Sequence, residues 1–162
     1  MCGIFGYIGP REDAAKIVFE GLKQLEYRGY DSWGVAVVPK SGLTKIDIKK
    51  KAGKIGNSTI KGLANGSLSF GHTRWATHGG VTNRNAHPHL DCTGDIAVIH
   101  NGIFENYEGI KKRLLLRGHK FVSETDTETV SHLIEEFSQK VPFPEAVRLA
   151  FNQMKGLNAI IA

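Results

Sequence analysis

Cys2, Arg74, the pair Asn101-Gly102 and Asp126 are the residues of this chain whose types and settings could do chemistry. Cys2 comes first by position. Removing Met1 would leave a terminal thiol beside a free α-amine, and a small residue after Met1 favours that removal. An α-amine titrates near ~7.7–8.0, so part of it is neutral near pH 7 and can take the thiol's proton. Nucleophile and base would then belong to one residue. The plainer alternative is a small buried hydrophobe with an inert thiol. Met-Cys-Gly alone does not separate the two, although Gly3 leaves the backbone room around the sulfur.

Arg74 lies in the run Gly71-His72-Thr73-Arg74-Trp75-Ala76-Thr77-His78-Gly79, near the expected end of a strand. Its planar fork suits a carboxylate, and a surface arginine in a turn is the ordinary alternative. Trp75 reads as core, Thr77 and His78 as loop hydrogen-bonders. Asn101-Gly102 between two apolar strands would make a type I′ hairpin turn. Residues 103–108, however, do not alternate like a returning strand and lead into a helix, with Asn106 available as its N-cap. A strand ending in a carboxamide and a glycine could supply two donors to an oxyanion, Asn101 Nδ2 and Gly102 N–H. Thr125-x-x-Glu128 has the form of a capping box, and Asp126 in a first turn suits the helix dipole. The residues alone favour that reading over pairing of Asp126 with the α-ammonium of a bound amino acid.

The elements that must position these groups follow from the patterning. Residues 4–8 form a short apolar run closed by Gly9-Pro10, a strand and a turn. Ile17, Val18, Leu22 and Leu25 recur at helical spacing over 14–25, with Arg28-Gly29 as a stop. Runs at 33–38 and 43–48 flank Pro39-Lys40-Ser41-Gly42 and read as a hairpin. Residues 68–75 suggest another strand, and 76–94 lack periodicity. An ordered loop of that length is usually functional. A buried-type strand over 96–100 runs into Asn101-Gly102, and helices are expected near 106–117, 126–139 and 144–155, with Pro144 and Gly156 as punctuation. A last apolar run spans 157–162.

Of the 162 residues, 41% are hydrophobic and 23% charged, a composition of one globular domain with a sizeable core. No apolar run approaches the ~20 residues of a membrane span. Arg11, Glu12 and Asp13 arrive too early for a secretory signal, so a cytoplasmic protein is expected. Without that signal, Asn57-Ser58-Thr59 and Asn65-Gly66-Ser67 carry no meaning as glycosylation acceptors. Cys2 and Cys92 are too few for a disulfide framework. The net charge of +5 is concentrated in Lys45, Lys49, Lys50, Lys51 and Lys54. No aromatic residues interleave with them as a nucleic-acid stacking platform requires, and lysines also guard a strand edge. Nucleic acid is therefore not expected as a partner. Ala86-His87-Pro88-His89 offers two potential metal ligands, but zinc takes three or four, and neither a cysteine cluster nor a His-x₃-His helix accompanies them. No metal and no cofactor are expected.

Taken in order, these blocks resemble the glutaminase domain of the glucosamine-6-phosphate synthase family. The resemblance rests on Met1-Cys2-Gly3-Ile4-Phe5-Gly6-Tyr7-Ile8-Gly9, Leu25-Glu26-Tyr27-Arg28-Gly29-Tyr30-Asp31-Ser32 and the run 71–79. Ala86-His87-Pro88-His89, His100-Asn101-Gly102-Ile103-Phe104-Glu105-Asn106-Tyr107 and Ser123-Glu124-Thr125-Asp126-Thr127-Glu128 extend it. It implies an α+β fold, a four-layer αββα sandwich of the N-terminal-nucleophile hydrolase type. It implies Cys2 as nucleophile with its own amine as base, and Asn101 with Gly102 as oxyanion hole. Arg74, Thr77 and His78 would hold the α-carboxylate of L-glutamine and Asp126 its α-ammonium, which reverses the readings of Arg74 and Asp126 from the residues alone. Trp75 would shape the pocket and gate passage, while Arg28 and His87 would support the site.

The same resemblance implies that the released ammonia passes to a sugar-isomerase domain that makes glucosamine 6-phosphate from fructose 6-phosphate, in a full-length homodimer. That domain is absent from this chain, and the family's glutaminase domain continues beyond Ala162, so residues 1–162 are expected to be a C-terminally incomplete glutaminase domain. Trp33 stands where the family usually has a small residue, and Gly80 extends a glycine pair. Related openings occur in phosphoribosyl-pyrophosphate amidotransferase, asparagine synthase and glutamate synthase, but Thr73-Arg74-Trp75-Ala76-Thr77-His78-Gly79 favours the sugar enzyme. A non-catalytic, unprocessed module is the alternative from another class.

Overall fold

The structure, a computed structural model, describes residues 2–40 and 45–162. Met1, whose removal the sequence invites, and residues 41–44 of the expected hairpin lie outside the described residues. In chain order the elements are β1 (Gly3–Ile8), α1 (Ala14–Leu25), a 3₁₀ turn (Glu26–Arg28), β2 (Ser32–Val38), β3 (Asp47–Ala52), β4 (Leu68–Arg74), β5 (His89–Leu90), β6 (Ala97–Gly102), α2 (Tyr107–Leu116), α3 (Thr127–Ser138), α4 (Phe143–Asn152) and β7 (Asn158–Ile161). Two antiparallel sheets result, β1-β4-β2-β3 and β5-β6-β7.

Strand side chains alternate between faces, and that period builds the layers. Trp33, Val35 and Val37 of β2 pack with Val18, Phe19 and Leu22 of α1 on the outer face of the first sheet. Ala36 and Phe70 point the other way and meet Ala97 and Ile99 of β6, with Ile4 and Ile161 packed beside them. The outer face of the second sheet, through Val98, is covered by Ile110, Leu114, Val130, Leu133 and Ile134 of α2 and α3 and by Ala146 and Ala150 of α4. Helix, sheet, sheet and helices make the expected four-layer αββα sandwich.

Several expectations need correction. The second strand of the lysine-rich hairpin is Asp47–Ala52 rather than 43–48. Its lysines sit at the sheet edge, but Lys50 turns inward, and its Nζ donates to the carbonyls of Arg84, Ala86 and Pro88 at 3.2, 2.9 and 3.0 Å. Burial lowers its pKa to about 8. Lys45 pairs with Asp95 at 2.6 Å and Lys49 donates to the Lys61 carbonyl, so much of the basic run makes intramolecular contacts. Trp33 is core, its ring centroid 5.2 Å from that of Phe19. Asn106 flanks α2 without capping it. Its side chain instead clamps the end of α4, donating to the Gln153 carbonyl and accepting from Lys155 N–H.

Candidate active site

The strand faces that pack between the sheets also deliver the chemistry. Ile4 precedes the site on β1, Phe70 and His72 lead to Arg74 on β4, and Ala97 and Ile99 lead to Asn101 on β6. Pairing of Gly3 with Thr73 and of Ser32 with Arg74 fixes the register of this end of the first sheet. A one-residue slip would send each of these side chains to the opposite face. Gly3 is dictated by packing, since a Cβ there would come within 2.7 Å of Thr73 Oγ1 and 2.8 Å of Leu25 Cβ.

Cys2 Sγ accepts the Trp75 backbone N–H at 3.2 Å. Among the described residues, its hydrogen-bond partners are the N–H and C=O of Trp75. Burial raises the thiol's pKa more than the Trp75 N–H lowers it, so the resting sulfur is protonated and needs a base. Asn101 Nδ2 donates to the Cys2 carbonyl at 3.2 Å, which brings the carboxamide beside Cys2. Gly102 has φ 130°, and a Cβ there would stand 2.3 Å from the Leu157 carbonyl. No hairpin turn forms at Asn101-Gly102. Both pair with β7 and the chain proceeds to α2.

His72 was not singled out from the sequence. It lies two residues before Arg74 on the same strand face, a signal that strand alternation alone could have carried. Its Nε2 is 3.0 Å from both Asn101 Oδ1 and the His100 carbonyl. Both are acceptors, so Nε2 carries the proton and directs the amide's oxygen away from Cys2. The ring stacks on His87 with centroids 4.1 Å apart, and His87 Nδ1 accepts the His100 N–H at 3.4 Å. His87 thus packs behind His72, and His89, two residues on, bonds Thr125 at 3.0 Å.

Burial lowers the pKa of His72 to about 3 and pushes those of His87, His89 and His100 down as well. Each takes up a proton near ~6.5 when unfolded and less readily when folded, least of all at His72, His87 and His89. The unfolded state therefore binds more protons below that pH, and stability falls as pH falls, by at most about 1.4 kcal/mol per unit for each histidine. His132 works the other way. Burial lowers its pKa, but Glu128 and Glu135 outweigh that and raise it, so its contribution is present below ~6.5 and is lost as pH rises. Four groups oppose one, and the urea midpoint is expected to drop steeply between pH 6.5 and 5. An unchanged midpoint over that interval would contradict neutral burial of these rings.

Arg74 is buried, 3% exposed. Its Nη1 donates to the Gly80 carbonyl at 3.2 Å and Nη2 to those of Gly79, at 3.3 Å, and His78. The guanidinium thereby ties down the loop of Thr77 and His78. Thr77 Oγ1 lies 3.4 Å from His78 Nδ1. Asp31, also missed from the sequence, braces this loop by accepting the Ala76 N–H at 2.9 Å, while its own N–H bonds the Arg74 carbonyl. Gly29 allows the close approach, for a Cβ would meet the Arg74 carbonyl carbon at 2.7 Å.

Asp126 precedes α3 but caps nothing with its side chain. Nor does the Thr125–Glu128 capping box form. Glu128 reaches back to the N–H groups of Val122 and Ser123 at 2.7 and 2.6 Å, and Thr125 turns to His89. The Asp126 carboxylate accepts the Phe104 N–H at 2.9 Å and is 4% exposed. Among the described residues its ion-pair contact is His100 Nδ1 at 4.0 Å, a ring whose pKa burial lowers.

Two cavities meet at Cys2. A narrow one of about 20 Å³ is lined by Arg74, His78, His87 and Asp126 among others. An open one of about 670 Å³ is lined by Arg28, Trp75, Thr77, Asn101 and Gly102, with Glu105 and Asn158 as further polar groups. Trp75 stands 46% exposed between them, edge-on to Tyr30. All ten residues singled out from the sequence border one cavity or the other.

The glutamine amidotransferase domain family matches residues 48–143. The chain is 51% identical over 166 residues to the glutamine–fructose-6-phosphate aminotransferase (isomerizing) of Pyrococcus horikoshii, covering 99% of this chain and 27% of that one. Its identity to the protein of the same name from Streptomyces coelicolor is 49% over 167 residues, covering 100% and 26%. The chain thus spans about a quarter of the length of these relatives. Glutamine phosphoribosylpyrophosphate amidotransferase from B. subtilis superposes with a TM-score of 0.80 at 26% identity, over 99% of this chain and 34% of that one. A structure of the allosteric regulatory enzyme of purine biosynthesis gives 0.82 at 28%, with the same coverage.

Proposed function

The chain belongs to the glutamine amidotransferase domain family, and from that premise we propose that it releases ammonia from L-glutamine through Cys2, for transfer to fructose 6-phosphate by a sugar-isomerase domain of a longer protein. The observation that carries the substrate is the pairing of opposite charges beside one thiol. Arg74 and Asp126 line the same narrow space as Cys2, and a free amino acid offers a carboxylate to the first and an ammonium to the second.

The steps follow from this placement. With Met1 removed, the Cys2 amine takes the thiol proton, and the sulfur attacks the side-chain carbonyl carbon of glutamine. Asn101 Nδ2 and Gly102 N–H receive the developing oxyanion. The protonated amine returns its proton to the departing nitrogen, the C–N bond breaks, and ammonia leaves a thioester. Water then cleaves the thioester to glutamate and restores the thiol.

Arg74→Lys keeps the charge and loses the fork. A charged hydrogen bond contributes about 1.5–3 kcal/mol, so KM for glutamine should rise roughly 10–100-fold with a smaller change in kcat. An unchanged KM would remove Arg74 from substrate binding. The acceptor is tested on the full-length protein supplied with glutamine and fructose 6-phosphate. Amino-sugar phosphate is the expected product, and its absence beside intact glutamate release would favour another acceptor. Phosphoribosyl pyrophosphate would be tried next, since the two solved relatives are of that kind or of purine biosynthesis. The ~50% identities to the sugar enzyme rank it second.

A further inference from the structure

Away from the cavities around Cys2, four side chains from three segments converge on one point. Cys92 comes from the turn between β5 and β6, His119 from the connection after α2, and His132 and Glu135 from one face of α3. Their ligand atoms all lie within 4.8 Å of one another. We propose that they form a structural zinc site, with Cys92 Sγ, His119 Nδ1, His132 Nδ1 and Glu135 Oε2 as ligands. The proposal is independent of the glutaminase reading.

Geometry supports a tetrahedron. Zinc bonds of about 2.3 Å to sulfur and about 2.0–2.1 Å to nitrogen or oxygen put S···N edges near ~3.5 Å and N···O edges near ~3.3 Å. Cys92 Sγ lies 3.7 Å from His119 Nδ1 and 3.5 Å from His132 Nδ1. Glu135 Oε2 lies 2.9 and 3.1 Å from the same two nitrogens. A thiolate, a carboxylate and two neutral imidazoles also balance a divalent cation without residue.

Hydrogen bonds alone account for the cluster poorly. Glu135 Oε2 is an acceptor, so both Nδ1 atoms carry a proton toward it, and neither offers a lone pair to the Cys92 thiol 3.7 and 3.5 Å away. A central cation uses a lone pair from all four atoms. The surroundings are those of a metal site as well. The Lys120 N–H donates to Cys92 Sγ at 3.4 Å and the Cys92 N–H to Glu135 Oε2 at 3.2 Å. His132 is 1% exposed, and its Nε2, without a hydrogen-bond partner among the described residues, faces Glu128 Oε1 at 3.7 Å, the outer carboxylate that commonly orients a ligating histidine. Four protein ligands leave no open position, which suits a structural role. The metal would pin the 117–126 connection to the body of α3. The separations, C-x₂₆-H-x₁₂-H-x₂-E, match no familiar zinc spacing, and the expectation of no metal rested on the unrelated His87 and His89.

The test uses the Cys2→Ala chain, in which Cys92 is the remaining cysteine. Titration with cobalt(II) chloride should give a 1:1 complex with intense tetrahedral d–d bands and a thiolate-to-cobalt charge-transfer band. Zinc chloride should displace the cobalt and raise the melting temperature, and a chelator should reverse the rise. Adding Cys92→Ser, at an exposed position, should abolish the charge-transfer band and weaken zinc by more than the roughly 10–100-fold typical of outer-shell changes. His119→Gln, outside the helices, is the second variant and should weaken zinc likewise. A folded parent that binds no stoichiometric cobalt, or equal affinity in parent and variants, would overturn the site.

Discussion

Cys2→Ala is expected to lower glutamate release from glutamine by roughly 10⁴–10⁶-fold, the range seen when a covalent nucleophile is removed from an otherwise intact site. The fold should hardly notice. The side chain's bonds are those to Trp75, and a single partly exposed hydrogen bond contributes about 1 kcal/mol. Circular dichroism and the urea midpoint should therefore match the parent while the activity vanishes. Activity within tenfold of the parent would exclude Cys2 as nucleophile. The same assay on protein that retains Met1, checked by intact mass, should also read near zero, because an acylated Cys2 nitrogen has no lone pair to serve as base.

Asn101→Asp should produce the second-largest loss, on the order of 10²–10³-fold or more in kcat with KM little changed. Removing one oxyanion donor typically costs that much, and the substitution also sets a carboxylate against the developing negative charge. Shape is preserved, and His72 Nε2 can still donate to the remaining Oδ1. The interaction lost exists only in the transition state, so kcat rather than KM carries the loss. A variant with normal kcat and raised KM would instead make Asn101 a ground-state binding residue.

Much of this arrangement was legible in the chain because strands impose a period of two. Once 68–75 is read as a strand, Arg74 must share a face with His72 and Phe70, and β6 carries Asn101 to the same layer as Ile99. Helix α1 was readable to the residue because Ile17, Val18, Leu22 and Leu25 make one stripe and nothing competes with it. What failed were predictions that assumed a local partner. Glu128 shares the capping-box spacing with Thr125, yet its carboxylate finds the Val122 and Ser123 amides, closer once the connection folds back over α3. Asn106 had the right type for a cap but was taken by the end of α4. The strand after β2 lies further along than expected, since Lys50 gains three carbonyl partners in a loop 34–38 residues away. The Cys92 cluster was invisible for the same reason. Its members become neighbours only after three separate segments meet.

The hold of Arg74 on the carbonyls of His78, Gly79 and Gly80 has a consequence for affinity. The guanidinium donates to three carbonyls of the chain itself, so on the proposed reading an arriving carboxylate would exchange partners with them. Binding strength then measures the difference between two occupants of one fork. On that reading a tighter grip on the loop would weaken substrate binding and a looser one would strengthen it. On the function proposed above, residues 78–80 would act as a built-in competitor, and changes in their backbone would tune the affinity for glutamine through Arg74.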